Sequence, residues 1–288
     1  MNIGIGLPST IPGIEGEPLL AWARRAEERG FSSLGVLDRV VYPNYDPLIT
    51  LAAVAVVTER IRLASDIILG PIRGNGAILA KQAATIDNLS GGRLTMGIAL
   101  GAREDDYEAT DVPWNRRGRL FDQQLEEMKR IWSGEERGAA GAIGPPAAGK
   151  GGPELVIGGG VDASFRRVVE YGDGWTMTGG TPDQFKEGSA KVKEAWSEAG
   201  REGAPRLIAL CYFALGEDAR QAAERDLQHY YAWLGDEIAG QIAASAATDE
   251  ETIRGYREAF AEAGADELIC FPTSADPAQV DLLADAAL

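Results

Sequence analysis

The chain has 288 residues, 45% of them hydrophobic, enough to bury the core of one barrel or of two ordinary domains. A net charge of −16, from 28 basic and 44 acidic residues, argues against a protein that grips nucleic-acid backbones or carries a polybasic membrane patch. No apolar run reaches the length of a membrane helix, and "NIGIGLPS" after Met1 lacks the basic and apolar regions of a signal peptide, so a cytoplasmic protein is expected.

In chain order, short apolar runs alternate with helical patterns. "NIGIGL" (2–7) reads as a strand. It is followed by a helix over 18–29, with Pro18 at an early position and Gly30 as its stop. "SLGVLD" (33–38) precedes a helix over 46–59, "IRLASDIIL" (61–69) precedes one over 77–89, and "RLTMGIAL" (93–100) precedes one over 116–132. The segment 135–152, "EERGAAGAIGPPAAGKGG", has no periodicity and reads as a flexible loop, either a lid or a slack linker. "ELVIGG" (154–159) leads through three glycines into a helix over 162–171, and "GWTMTG" (174–179) follows. Thr181-Pro-Asp-Gln184 reads as a capping box opening a helix to Ala199. After "RLIALCYFAL" (206–215) comes extra helix over 217–247, carrying the only histidine, His229, beside Tyr230, Tyr231 and Trp233. This aromatic group is placed to cap a pocket, to pack the helix down, or to face another subunit. Thr248-Asp-Glu-Glu251 reads as a second capping box, before "ELICFP" (267–272) and a last helix over 277–287. Cys211 and Cys270 lie inside apolar runs and read as reduced core thiols, and with one histidine they make no zinc pattern.

Eight near-continuous apolar strands alternating with helices predict an α/β fold, a (β/α)8 TIM barrel formed by a single domain over 1–288, with extra helices between strands 7 and 8. A doubly wound open sheet is the competing architecture, but "GIGLPST" after the first strand lacks the dinucleotide fingerprint. In a barrel the active site lies at the C-terminal ends of the strands. Those ends carry Asp38 and Arg39, then Ser65 and Asp66, then Leu100 to Tyr107, then Gly158, Gly159 and Gly160, then Thr176 and Thr178. A carboxylate at Asp66, inside an apolar strand, must be paired or must face a cavity. The glycines suit a phosphate held at a helix N-terminus, and equally a plain strand-to-helix turn.

The run "AKQAATIDNLSGGRLTMGIALGAREDDYEATDVPWNRRGRLFDQQLEEMKRIWSG" (80–134), with "ERIRLASDIIL" and "VIGGGVDASFRRVVEYGDGW", resembles the luciferase-like monooxygenase family over most of residues 1–199. The resemblance implies a barrel oxidoreductase moving a hydride between a bound deazaflavin (coenzyme F-420) or FMN and a small organic substrate. The alternatives are an FMN monooxygenase using externally reduced flavin and dioxygen, and a non-catalytic flavin-binding barrel. It places Asp38 beside the ring, and Ser65 and Asp66 at a bulge in strand 3 with a non-prolyl cis peptide. Leu100, Gly101 and Asp105 fall near the ring edge or ribityl chain, the three glycines at the phosphate, and Thr176 and Thr178 under the ring or its chain. Lys81, Gln82, Asp87, Gly91, Gly92 and Arg93 belong to the signature as structural residues.

One departure is Arg39, where many deazaflavin-using members have His. An arginine stays protonated and is a poor general base, so Glu104, Asp105, Asp106 and Tyr107 become the candidate proton-transfer groups, against a plain reading as loop carboxylates and a packing tyrosine. The chain lacks long insertions, which favours F-420, and Arg73, Arg103, Arg116, Arg117 and Arg119 offer positive charge for its polyglutamate tail. The expected partners are a small-molecule substrate and a second copy of the chain in a homodimer, with no nucleic acid, membrane or metal.

Overall fold

The computed structural model describes every residue except Lys150 and Thr178. Eight parallel strands close into a barrel in chain order, and this excludes the open sheet. They are β1 (Asn2–Gly6), β2 (Ser33–Val36), β3 (Arg62–Leu69), β4 (Leu94–Ala99), β5 (Glu154–Gly158), β6 (Gly174–Met177), β7 (Arg206–Phe213) and β8 (Glu267–Pro272). Closure is made by β1 on β8, with Ile5 opposite Cys270. Around them lie α1 (Gly16–Arg29), α2 (Pro47–Ala55), α3 (Gly76–Leu89), α4 (Glu104–Glu108), α5 (Arg117–Trp132), α6 (Asp162–Tyr171), α7 (Pro182–Glu198), α8 (Ala219–Tyr230), α9 (Asp236–Ala244), α10 (Glu250–Glu262) and α11 (Ala278–Ala287). Among the described residues no helix is long and apolar enough to cross a membrane.

Strand alternation divides the core. On β7, Leu207, Ala209, Cys211 and Phe213 pack outward under the helices. Ile208, Leu210 and Tyr212 point inward, to Ile269 and Phe271 of β8. Phe271 fills space left by missing side chains: a Cβ on Gly6 would lie 2.3 Å from its ring, and one on Gly35 2.8 Å. The N-terminal mouth is closed by polar groups. Glu154 accepts from Arg62 and Thr95, both at 2.7 Å, Glu267 accepts from Ser33 at 2.7 Å, and Arg206 pairs with both carboxylates. This end is therefore sealed, and the chemistry belongs to the opposite end.

The signature residues hold the scaffold. Arg93 donates to the carbonyls of Ile61, Ala55 and Thr58, tying β4 to the end of α2. Lys81 donates to the Gly144 carbonyl, and Asp87 accepts from the Ala148 amide. At Gly144 and Ala148 the loop between α5 and β5 is thus held along α3. It joins the end of α5 to the start of β5, on the sealed side of the barrel, so it is no lid over the strands' C-terminal ends.

Thr181 and Gln184 form the expected capping box. The box expected at Thr248 is displaced by one residue: Asp249 caps α10, accepting from the Thr252 amide at 2.7 Å. The helix expected over 46–59 ends at Ala55, and the extra helix over 217–247 is broken into α8 and α9. Cys211 and Cys270 are free and buried in register on β7 and β8, with their sulfurs 3.6 Å apart.

Candidate active site

A cleft of about 450 Å³ opens at the C-terminal ends of the strands. Its floor comes from β3, β4 and β5, one flank from Leu210 and Tyr212 of β7, and its wall from Tyr230 at the end of α8 with Tyr231 and Trp233 after it.

The most unusual part of the floor is β3. Its register with β4 holds through Ser65 opposite Met96 and resumes at Ile68 opposite Ile98. Gly97 permits this bulge, because a Cβ there would sit 2.1 Å from the Ser65 carbonyl oxygen. The cis peptide expected between Ser65 and Asp66 lies one bond further on, between Asp66 and Ile67. Ser65 is still in the ladder, its hydroxyl donating to the Gly97 carbonyl at 2.9 Å, so the chain departs only after Ser65. Ile67 is thereby turned into the cleft. Asp66 is wholly buried. Its Oδ1 accepts from the Thr176 hydroxyl at 2.7 Å, while Oδ2 has no partner among the described residues. Burial pushes this carboxyl up to about 7, with the Glu267 charge adding and the Thr176 hydrogen bond opposing.

The glycine turn ends β5. A Cβ on Gly158 would press on Ala99 and Ile67, both at 3.1 Å. Gly159 has φ +124°, and its Cβ would lie 2.4 Å from the Ser164 hydroxyl. Gly159 is therefore closed to a side chain and Gly158 is tightly packed, while Gly160 borders open space. No side chain caps α6 at Val161, so its first N–H groups remain available beside the cleft. Arg167, buried one turn further on and lining the same end, is held by Asp122 at 2.6 Å and the Gly118 carbonyl at 3.2 Å.

Asp38 also lines the cleft, but both its oxygens are engaged. Arg73 spans it bidentately, and the Leu69 amide donates to Oδ2 at 2.9 Å. Burial pushes its carboxyl up, and the Arg73 guanidinium opposes that shift. Arg73 reaches Asp46 as well, and Arg103 is committed to Asp106 and the Asp38 carbonyl, both at 2.9 Å. Arg117 lies on the Trp114 ring, 3.6 Å from its centre. Three of the five arginines expected to offer free charge are thus occupied within the fold. Arg116 and Arg119 are exposed, without an ion pair among the described residues.

The remaining candidates sit as follows. Leu100 and Gly101 line the cleft, and Gly101 lies close against Leu69. Thr176 reaches the site through Asp66. Thr178 falls outside the described residues. Arg39 faces away: it donates to the Tyr230 carbonyl at 2.7 Å, lies over the Tyr42 and Tyr230 rings, and stands 3.6 Å from Asp105. Asp106 is buried, accepting from the Val40 and Val41 amides. Glu104 is exposed on α4. Tyr107 donates to the Leu100 carbonyl at 2.6 Å, and burial pushes its hydroxyl up to about 12.

Ile67, Ser164, Arg167 and Tyr212 were not singled out from the sequence. Tyr212 carried one available signal, its inward position on β7. The Tyr212 and Tyr231 hydroxyls are 2.6 Å apart in the flank of the cleft. His229 stands outside it, its Nδ1 2.7 Å from the Tyr42 hydroxyl. The cleft therefore combines one buried carboxylate with a free oxygen, an uncapped helix start beside glycines, and an aromatic wall.

Comparison with known proteins gives the following. The model of a family described as luciferase-like monooxygenase matches residues 1–268. An uncharacterized protein of Mycobacterium tuberculosis (strain ATCC 25618 / H37Rv) is 31% identical over 207 residues, covering 69% of this chain and 73% of its own. The FMNH(2)-dependent dimethylsulfone monooxygenase of Pseudomonas putida is 24% identical over 224 residues, covering 74% of this chain and 56% of its own. Among solved structures, an F420-dependent secondary alcohol dehydrogenase in complex with an F420-acetone adduct is similar with a TM-score of 0.79. It is 18% identical, covers 99% of this chain and 97% of its own, and so speaks for the fold.

Proposed function

The chain belongs to the luciferase-like monooxygenase family and is an enzyme of the oxidoreductase class, and from that premise we propose that it moves a hydride between a bound deazaflavin, coenzyme F-420, and a small organic substrate. The observation that carries this reading is Asp66, a buried residue of the cleft whose Oδ2 has no partner among the described residues, beside an uncapped glycine turn. A buried polar atom without a partner is costly, so its natural complement is a polar ligand group.

The residues fit such a group. The volume is in the range of ligand sites. Gly158 and Gly159 keep side chains out of the turn, and the first N–H groups of α6 would hold a phosphate. Leu100, Gly101 and Ile67 would flank the ring, and Asp66 would meet one of its polar atoms. Arg116 and Arg119, at the start of α5 and near Arg167, suit the carboxylates of a polyglutamate tail, which favours F-420. When bound, the ring supplies the two-electron chemistry. The protein orients it and excludes water with the tyrosine wall. Asp66 is the cleft's group able to hold or release a proton near neutrality.

FMN is the second reading, because the glycine turn serves its phosphate equally and one relative is named as FMNH(2)-dependent. Calorimetric titration of the apo protein with F-420 and FMN, side by side, tests both. Tighter F-420 binding is expected. FMN binding alone, with oxygen consumption on reduction, would move the assignment to a monooxygenase. Binding of neither would end the reading.

A further inference from the structure

A second cavity, of about 600 Å³, lies between β7 and α9. We propose that it receives the organic substrate, and that this substrate is an uncharged, largely apolar molecule whose carbonyl or hydroxyl oxygen is held by Tyr212 and Tyr231. The proposal rests on the oxidoreductase reading above and adds the class and place of the substrate.

Charge is the first argument. A quarter of the chain is charged, yet none of the described residues lining this cavity is. Its apolar surface comes from Leu210, Leu234, Ile238, Ile242 and Phe260, and its polar contacts are neutral, as at Gln241 and Ser245. Ile238 is 46% exposed at the rim, where a surface residue would ordinarily be polar. A charged ligand would lose hydration here without a counter-charge, whereas an apolar one gains by burying surface.

Continuity is the second. Leu210, Tyr212 and Tyr231 line both this cavity and the cofactor cleft. The two tyrosines meet hydroxyl to hydroxyl at 2.6 Å, and neither hydroxyl has another partner among the described residues. In such a pair one hydroxyl donates to the other, and the acceptor's own proton is left over. That proton is a hydrogen-bond donor at the junction of the two spaces. A substrate with an apolar body in the second cavity and one oxygen at the junction would therefore present its polar carbon toward the cleft.

The test uses 6-propionyl-2-(dimethylamino)naphthalene, an uncharged ketone whose emission moves to the blue in apolar surroundings and back to the red on hydrogen bonding. The anionic control is 1-anilinonaphthalene-8-sulfonate. Saturable blue-shifted binding of the ketone is expected, with the sulfonate weaker by about tenfold. Ile242→Trp, which fills the cavity, should weaken the ketone by about tenfold or more while leaving F-420 and FMN titrations unchanged. Ile238→Lys, at the exposed rim, keeps the test open if the tryptophan variant does not fold, and should weaken the ketone and favour the sulfonate. The double variant Tyr212→Phe/Tyr231→Phe, which removes both hydroxyls, should move the bound ketone's emission further to the blue. Ketone affinity unchanged in both isoleucine variants, or emission unchanged in Tyr212→Phe/Tyr231→Phe, overturns the proposal. Ketone binding without any cofactor binding leaves the cavity assignment standing and defeats the cofactor reading instead. Cofactor binding without ketone binding does the reverse.

Discussion

Thr176 donates to Oδ1 of Asp66 at 2.7 Å and leaves Oδ2 without a partner among the described residues, in a side chain that lines the cleft. A hydroxyl from a strand 110 residues away thus fixes the carboxyl's orientation and leaves its second oxygen for a ligand. Thr176→Val should therefore lower cofactor affinity without emptying the cleft, and titration calorimetry would show it. Affinity equal to the parent's would mean that the orientation does not matter.

The same carboxyl makes apo stability depend on pH. It titrates near 7 in the folded protein, against an ordinary value of 3.8. Below about pH 4 it is protonated in both folded and unfolded chains. Between about pH 4 and 7 the unfolded chain releases the proton and the folded one keeps it, so this contribution to stability is lost as pH rises and levels off above the folded value. A raise of about three units corresponds to about 4 kcal/mol at most. Asp66→Asn should flatten that part of the profile in urea titrations from pH 4.5 to 8. Parallel profiles for variant and parent would refute the assignment.

The glycine turn offers two separable substitutions. At Gly159 a side chain meets Ser164 in a backbone region reserved for glycine, so Gly159→Asp should cost about 1–3 kcal/mol of stability as well as cofactor binding. At Gly160 the Cβ position is open. Gly160→Asp should therefore melt like the parent and still lose the cofactor, by repelling its phosphate. A folded Gly160→Asp protein of parental affinity would remove the phosphate from this turn.

Arg39 ties the loop after β2 to the last turn of α8. Loss of its charged hydrogen bond and ring contacts in Arg39→Ala should cost about 2–4 kcal/mol, read as a lower melting temperature. The tyrosine wall would loosen, so KM should rise more than kcat falls. Arg39→His should bring no new ionisation into the pH–rate profile, because this position does not face the cleft. A large loss of kcat at unchanged melting temperature would restore a direct role for Arg39.

Gly97 is a packing requirement of the site. Gly97→Ala places a methyl against the Ser65 carbonyl, a backbone atom that cannot step aside. The cost should fall at or above the upper end of overpacking, about 3 kcal/mol, and cofactor affinity should drop with it. A variant as stable as the parent would show that β3 and β4 can part at the bulge without loss.

Much of the molecule was legible along the chain. Apolar runs of strand length between helical patterns predicted eight strands and their order, because both periods are local and parallel strands buried on two faces carry few polar residues to blur them. Thr181 and Gln184 were legible for the same reason, a cap being decided within four residues. The glycine turn was found because a run of glycines at a strand end marks a close approach or a special backbone, although only Gly158 and Gly159 are tightly placed. The partners of charged and polar groups were not legible. Arg73 and Arg103 looked like free cations and are bound to Asp38, Asp46 and Asp106. Arg39 looked like a site residue and belongs to Tyr230, 191 residues away. Tyr212 looked like an ordinary strand residue and forms one wall of the cleft. Sequence alone determined the elements and the end of the barrel at which the chemistry must lie. Only the tertiary structure decided which carboxylate keeps a free oxygen, because barrel closure brings distant side chains together and each hydrogen bond formed removes a group from the reactive set.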